Sequence, residues 1–158
     1  MPTRRTITQS LGLFAAATWL GSAKGAFAMP NTNDIWFMPD ESDPHQRTWM
    51  AFGASREIWG KRLLPEVQRN LATIALTIAN YESVSMLVRQ SDLPLAQQLM
   101  GSRVELIVCP LDDLWMRDTG PVFVVTEKGD KAGTDFNFNG WGEKQDYEHD
   151  AQIASFVT

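Results

Sequence analysis

Short apolar runs alternate along this chain with longer stretches in which apolar residues recur every three or four positions, a pattern that predicts strands separated by helices. Strands are predicted at Thr48–Phe52, Val84–Val88, Val104–Cys109, Val122–Thr126 and about Thr134–Phe138. Helices are predicted from about Ile58 to Asn80, from Ser91 to Met100, and from Gln145 onward. The order of elements is βαβαβββα, so the sequence predicts an α/β fold.

Residues 1–28 do not follow this alternation. Arg4 and Arg5 precede an apolar run from Leu11 to Leu20, and residues 26–28 read Ala-Phe-Ala, a pattern typical of export-signal cleavage. The uninterrupted apolar part is too short to span a bilayer, so no stable membrane anchor is expected. We therefore expect a twin-arginine-like export signal peptide over 1–28, removed from a periplasmic or cell-envelope protein. The twin-arginine and general secretory routes both remain open.

Charge and cysteine content narrow the classes of partner. The chain of 158 residues has a net charge of −5, and removing residues 1–28 with their three basic side chains leaves 11 basic against 19 acidic residues, or −8. Such an acidic balance argues against nucleic acid and against an anionic membrane surface as partners. Cys109 is the single cysteine, so the chain cannot form an internal disulfide.

A polar stretch, Leu111–Pro121, lies between two predicted strands and contains three acids, one arginine and a tryptophan. Polar side chains at a strand end are often a ligand site, because the strand fixes the backbone that carries them. Asp118 could accept two parallel N–H bonds from a planar guanidinium, and Trp115 could offer its aromatic face to the same cation. The plainer alternative is that Asp118 pairs with Arg117 and that Trp115 fills the core.

The other chemically capable residues give weaker signals. Cys109 continues an apolar run and is followed by acids, which would raise the pKa of its thiol, so we interpret it as structural rather than nucleophilic. His45 and His149 are far apart and lack a spaced partner, so neither predicts a metal site. The sequence contains no glycine-rich phosphate loop and no metal-ligand cluster. Three residues suit either a pocket or a turn: Asn137, Asn139 and Trp141.

Three ordered blocks of the sequence resemble the agmatine deiminases and the related bacterial, Porphyromonas-type peptidylarginine deiminases. The blocks are Met38–Glu41 with Pro44–Phe52, then Leu111–Pro121, and then Gly133–Gly142. Together they extend the resemblance from about Ile35 to Thr158. The resemblance implies that the α/β fold is part of a fivefold pseudosymmetric, pentein-like propeller that is truncated in this chain.

The resemblance also implies a reaction, the hydrolysis of a guanidine to a urea with release of ammonia, and it implies neither a metal nor an organic cofactor. Trp115 and Asp118 would face the guanidinium of a small cationic substrate. A cysteine thiolate would attack the guanidinium carbon while a histidine moves protons. That cysteine and histidine are expected beyond Thr158, so residues 29–158 would be the N-terminal portion of a catalytic domain and would contain no catalytic residue.

Agmatine is the expected substrate, and N-carbamoylputrescine, formed in putrescine biosynthesis, is the expected product. The sequence does not distinguish agmatine from peptidylarginine, because no residue of the chain can be assigned to the far end of the substrate. A truncated, non-catalytic fragment that binds guanidinium or another partner is the other alternative. The full-length protein would be compatible with a homodimer.

Overall fold

The computed structural model describes residues 34–158, in which strands and helices alternate as the sequence predicts. The predicted signal peptide at 1–28 lies outside these residues. The strands are β1 (Trp36–Phe37), β2 (Thr48–Phe52), β3 (Val84–Val88), β4 (Glu105–Val108), β5 (Val122–Thr126) and β6 (Lys131–Thr134). The helices are α1 (Arg56–Ile78), α2 (Leu93–Met100), α3 (Met116–Thr119), α4 (Gly140–Glu143) and α5 (Ile153–Val157), and a 3-10 turn (Asp150–Gln152) precedes α5.

The strands form two separate three-stranded sheets. One sheet is parallel, in the order β2-β3-β4, with α1 and α2 as its two connections. The other sheet is antiparallel, in the order β1-β5-β6. Parallel strands need a crossover between them, and the two predicted helices supply it. Within residues 34–158, no helix combines the length and the apolar content that crossing a bilayer requires.

The parallel sheet is covered on both faces. Alternate residues of its strands face α1 and α2, and this helix side of the core contains Phe52, Leu71, Ala75, Met86, Val88 and Ala96. The intervening residues face the other way, and that side contains Ala51, Leu87, Cys109, Leu111 and Ile153. Burial on both faces explains why these strands read in the sequence as continuous apolar runs.

Two predicted elements are wrong in their position. The predicted strand Thr134–Phe138 starts and ends earlier, at Lys131–Thr134, because the side chain of Asp135 accepts the N–H of Asn137 and turns the chain out of the sheet. The helix predicted from Gln145 begins only at the 3-10 turn, because the N–H groups of His149 and Asp150 are bound by the side chain of Asp112.

The segment that precedes β2 also joins the structure. Its described part contributes β1, in which Trp36 lies opposite Thr126 of β5. The segment that follows β1 is mostly exposed, as a Pro- and Asp-rich surface segment is expected to be.

Arg89 ties together the carboxyl ends of the parallel strands. Its guanidinium donates to the backbone carbonyls of Gly53 (2.9 Å), Ala54 (2.6 Å) and Leu111 (3.3 Å), while its Nε donates to Asp92 at 2.8 Å. A guanidinium offers five donors in a fixed plane, so one side chain satisfies carbonyls from two different strand ends. The loop after β4 is thereby held against the loop after β2.

Two carboxylates, those of Asp112 and Asp150, each accept backbone N–H groups from the segment that carries the other. Asp150, which is 1% exposed, accepts the N–H groups of Asp112 (2.9 Å) and Asp113 (3.1 Å). Asp112 in return accepts the N–H groups of His149 (2.7 Å) and Asp150 (3.1 Å), and its other oxygen lies 2.7 Å from Nδ1 of His149. The exchange joins the loop after β4 to the start of the 3-10 turn.

The loop after β4 also passes very close to Gly53. A Cβ on Gly53 would lie 1.9 Å from the backbone oxygen of Asp113, a distance that no side chain can occupy. Glycine at this position is therefore a requirement of close backbone approach. The approach sets the height of the loop above the end of β2.

We predict that Gly53→Ala destabilises the protein by about 1–3 kcal/mol, because the added methyl group must displace the backbone at Asp113. Urea unfolding would measure the change, and near-UV circular dichroism would report the environment of the nearby tryptophans. Gly129→Ala is the control, since a Cβ there meets open space and only the backbone angle φ of +88° is strained. An unchanged near-UV spectrum for Gly53→Ala would contradict the prediction.

A pH dependence follows from Asp150. Burial raises the pKa of Asp150 from 3.8 to about 6, although its bonds from the backbone N–H groups of Asp112 and Asp113 act in the opposite direction. Because the pKa is higher in the folded state, the stability contributed by Asp150 is complete below about 3.8 and is lost as the pH rises through about 6. His149, whose pKa is raised by its bond to Asp112, contributes with the same sign at higher pH.

We therefore predict that the wild-type protein loses stability relative to Asp150→Asn between about pH 3.8 and about pH 6. Asparagine does not titrate, so subtracting the two profiles of melting temperature against pH isolates the contribution of Asp150. Burial alone would raise the pKa of Asp112, but the hydrogen bonds from His149 and from the backbone lower it, so Asp112 acts only at more acidic pH. Parallel profiles would show that Asp150 does not titrate in this window.

Candidate functional site

A cavity of about 530 Å³ opens beside the loop after β4. It is lined by three tryptophans, two aspartates, a glutamine and an isoleucine: Trp59, Trp115, Trp141, Asp113, Asp118, Gln145 and Ile58. Two of these residues, Trp115 and Asp118, are the ones that the sequence predicts to face a guanidinium. The structure therefore places both predicted residues in one cavity.

Asp113 lies at the base of the cavity and is 1% exposed. Its Oδ1 accepts the indole N–H of Trp59 at 2.8 Å, and its Oδ2 accepts the indole N–H of Trp115 at 2.8 Å. The two rings stack with their centroids 6.3 Å apart and an interplanar angle of 30°. One buried carboxylate thus fixes two tryptophans that come from different parts of the chain.

The first of these tryptophans is positioned by the start of α1. Ser55 caps the helix by accepting the N–H of Ile58, and Gly60 interrupts it with a φ of 69° and a ψ of 163°. Ile58 and Trp59 therefore lie on a separate first turn, and both line the cavity. The break directs this turn toward the loop after β4 rather than along the parallel sheet.

Asp118 is held by a different tryptophan. It is exposed, and its Oδ1 accepts the indole N–H of Trp141 at 3.2 Å. Trp141 meets Trp115 edge to face, with ring centroids 6.0 Å apart and an interplanar angle of 86°. Because an ionised carboxylate has about four lone-pair sites, a single bond from Trp141 leaves room for a ligand with several N–H donors.

The turn that carries Trp141 is left-handed. All four residues of α4 have positive φ: 64° at Gly140, 55° at Trp141, 82° at Gly142 and 62° at Glu143. Residues with side chains rarely adopt this conformation, and strained backbone of this kind is concentrated at functional sites. The side chain of Asn139 supports the turn by accepting the N–H of Gly142 at 3.0 Å. The turn directs Trp141 into the cavity.

The plainer alternative for the predicted pair is wrong on both counts. Arg117 pairs with Glu41 and not with Asp118, and both partners of that ion pair are highly exposed. Trp115 is 40% exposed on the cavity wall and does not fill the core. Both predicted residues are thus accessible to a ligand.

The cysteine and the two histidines considered in the sequence do not line the cavity. Cys109 is 4% exposed, and burial together with the charge of Asp150 raises the pKa of its thiol, which agrees with a structural cysteine. His45 pairs with Glu82, and His149 is not simply solvated as a polar helix start suggests, since it binds Asp112. In the described part of the chain, no three potential metal-binding side chains of His, Cys, Asp or Glu are grouped together.

Five residues of the cavity are not singled out as site residues by the sequence: Ile58, Trp59, Asp113, Trp141 and Gln145. Asp113 lies within the predicted polar stretch, but only the fold shows that its carboxylate serves two indoles. Trp141 was left open between a pocket and a turn, and it belongs to both. Gln145 lines the cavity with an amide nitrogen that is buried without a partner among residues 34–158.

Curated relatives match most of this chain. A Streptomyces coelicolor protein provisionally named agmatine deiminase is 39% identical over 123 residues, which are 76% of this chain and 36% of that protein. A Legionella pneumophila protein with the same provisional name is 38% identical over 108 residues, which are 68% of this chain and 31% of that protein. The chain thus spans about a third of the length of the curated relatives that it matches.

A solved structure shares the fold. The agmatine deiminase of Enterococcus faecalis superposes with a TM-score of 0.72 at 24% identity, over 77% of this chain and 34% of that one. The α/β arrangement is therefore that of the agmatine deiminases, while the two sheets of residues 34–158 remain separate and neither is closed.

A family as a whole also matches most of this chain. The sequence profile of the Porphyromonas-type peptidyl-arginine deiminases matches residues 37–158, which include the whole parallel sheet, the antiparallel sheet except Trp36, and every residue that lines the cavity. Together with the identity to the curated relatives, this match shows that the chain belongs to the Porphyromonas-type peptidyl-arginine deiminase family.

Proposed function

We propose that this chain supplies the guanidinium-binding part of a guanidine deiminase, a hydrolase that converts agmatine to N-carbamoylputrescine and ammonia in putrescine biosynthesis. The observation that carries the proposal is the convergence of the Asp118 carboxylate and the Trp115 ring in one open cavity. The similar proteins named agmatine deiminase support agmatine as the substrate.

The cavity suits a planar cation for physical reasons. A guanidinium can donate two parallel N–H bonds to the carboxylate of Asp118, whereas an ammonium group cannot make this planar, bidentate contact. The same cation can lie against the ring of Trp115. A third tryptophan, Trp141, stands at 86° to that ring and binds the carboxylate, so it borders the space in which both contacts can form.

The nucleophile of the reaction is proposed to come from outside residues 34–158. A thiolate must attack the guanidinium carbon, and the resulting covalent intermediate is then hydrolysed by water. Cys109 is buried, and burial raises the pKa of its thiol, so it suits neither step. Because the chain spans about a third of its relatives' length, the reactive cysteine and histidine are assigned to the remaining part of a longer protein.

We also propose an architecture and a location for the full-length protein. The two open sheets would be αβ units of a fivefold pseudosymmetric, pentein-like propeller that further units complete. The basic start, apolar run and Ala-Phe-Ala sequence within residues 1–28 support export to the periplasm or cell envelope. In a full-length protein a homodimer is compatible with this arrangement.

Peptidylarginine is the second candidate substrate. Trp115 and Trp141 are each 40% exposed at the cavity, so the cavity opens to solvent and could admit a side chain that remains attached to a peptide. The description of the matching family supports this candidate. A third candidate is a fragment that binds guanidinium without catalysis, and the burial of Cys109 favours it.

We predict that the chain binds agmatine and that Asp118→Asn weakens this binding by about tenfold or more, because the substitution removes the charge that faces the guanidinium. Isothermal titration calorimetry with agmatine, putrescine and a blocked arginine peptide would measure the affinities. Putrescine lacks the guanidinium and should bind weakly to both forms. The ratio of agmatine to peptide affinity would distinguish the two candidate substrates.

The matched control is Asp146→Asn, which makes the same charge change at an exposed residue outside the cavity. It should leave the affinity for agmatine unchanged. Equal affinities of the wild type and Asp118→Asn would refute the role of Asp118. An ammonia-release assay on the native full-length protein would then separate an enzyme from a binding fragment.

A further inference from the structure

We propose that Asp113 is a positioning residue, which fixes the plane of the Trp115 indole against the guanidinium of the substrate. The inference rests on the function proposed above and adds to it a residue that never touches the substrate. It explains why a buried carboxylate lies at the base of a cavity whose cation is bound by another carboxylate.

The hydrogen bonds of Asp113 show that it acts through its neighbours. Its two oxygens each accept an indole N–H at 2.8 Å, one from Trp59 and one from Trp115, and its side chain is almost completely buried. Each oxygen therefore already binds an indole, and burial keeps both oxygens away from the open part of the cavity. Asp118 is exposed and is the carboxylate that a ligand can reach.

The backbone of Asp113 is fixed on two sides. Its N–H donates to the buried carboxylate of Asp150 at 3.1 Å, and its carbonyl oxygen lies against Gly53, where a Cβ would be only 1.9 Å away. The side chain therefore extends from a point that cannot shift without disturbing β2 or the 3-10 turn. A hydrogen-bond acceptor anchored in this way can orient a flexible partner.

Trp115 is the partner that needs orientation. Trp115 is 40% exposed, so packing holds its ring less firmly than it would hold a buried ring. A cation binds an aromatic ring over its face, so the contact with the guanidinium depends on the angle of the ring. The bond to Asp113 sets that angle, and Trp59, stacked at 30° with centroids 6.3 Å apart, supports the ring from one side.

A double-mutant cycle with agmatine tests this role. Asp113→Asn leaves one carbonyl oxygen for two indoles, and Trp115→Phe keeps an aromatic face but has no N–H to donate. We expect each change to raise the Kd for agmatine by about tenfold. The Kd of the double variant should not exceed the higher of the two single-variant values. Independent, multiplying effects, or a Kd for Asp113→Asn equal to that of the wild type, would overturn the proposal.

Two further measurements keep the outcome decisive. If Asp113→Asn does not fold, Trp115→Phe alone is informative, since wild-type affinity in that variant would refute a role for the N–H bond. Nitrogen-15 relaxation of the indole groups without ligand should show Trp115 as rigid as the backbone in the wild type. A mobile Trp115 indole in the wild type would overturn the proposal. If Asp113 only stabilised the fold, Asp113→Asn would not increase the mobility of the Trp115 indole more than that of the other indole groups.

The failure of this inference differs from failure of the proposed function. A wild-type chain that binds no agmatine refutes the proposed function, and the relaxation measurement then still decides whether Asp113 fixes Trp115. A wild-type chain that binds agmatine, combined with independent effects in the cycle, refutes only the role of Asp113.

Discussion

The side chain of Asp150 accepts the backbone N–H groups of Asp112 and Asp113, and the side chain of Asp112 accepts those of His149 and Asp150. The geometry of the cavity depends on these four hydrogen bonds. Hydrogen bonds from neutral N–H groups to an ionised carboxylate are stronger than those between neutral groups, and here they join segments 38 positions apart in the chain. They fix the loop after β4 at the point where Arg89 and Gly53 also constrain it. The backbone of the loop that carries Asp113 and Trp115 is therefore positioned by contacts made outside the cavity.

The cavity itself repeats one physical arrangement. An indole N–H binds a carboxylate three times, from Trp59 and Trp115 to Asp113 and from Trp141 to Asp118. Asp113 is buried, whereas Asp118 is exposed. The accessible ring of Trp115 and the accessible carboxylate of Asp118 are complementary to the face and the edge of a guanidinium.

The sequence predicts the parallel half of the fold well, because its elements are local and strongly patterned. The bounds of β2 and β3 agree with the apolar runs residue by residue, and β4 is one residue shorter at each end than the predicted Val104–Cys109. The prediction is wrong where a side chain from a distant segment determines the backbone, as Asp112 does at the residues that precede α5. The periodicity of apolar residues indicates only which neighbouring positions are buried, so it cannot predict a hydrogen bond from a distant segment.

The same distinction applies to the cavity. Trp115 and Asp118 could be found from the sequence because they lie three positions apart between two strands. Trp59 comes from a helix 56 positions before Trp115, and its place in the cavity depends on the break at Gly60. The direction of Trp141 depends on a left-handed turn, and a pair of glycines only indicates that some sharp bend occurs.

The short strand β1 has a consequence for the order in which the protein folds. Its two residues pair with β5, so that Trp36 lies opposite Thr126, 90 positions further along the chain, whereas Thr48 of β2 lies opposite Val84, only 36 positions away. Closing a long loop costs more conformational entropy than closing a short one. Pairing only two residues with β5 offsets little of that cost. The parallel sheet can therefore form from contacts closer in the chain, and we expect β1 to be added last and to be the first strand released when the native state opens locally.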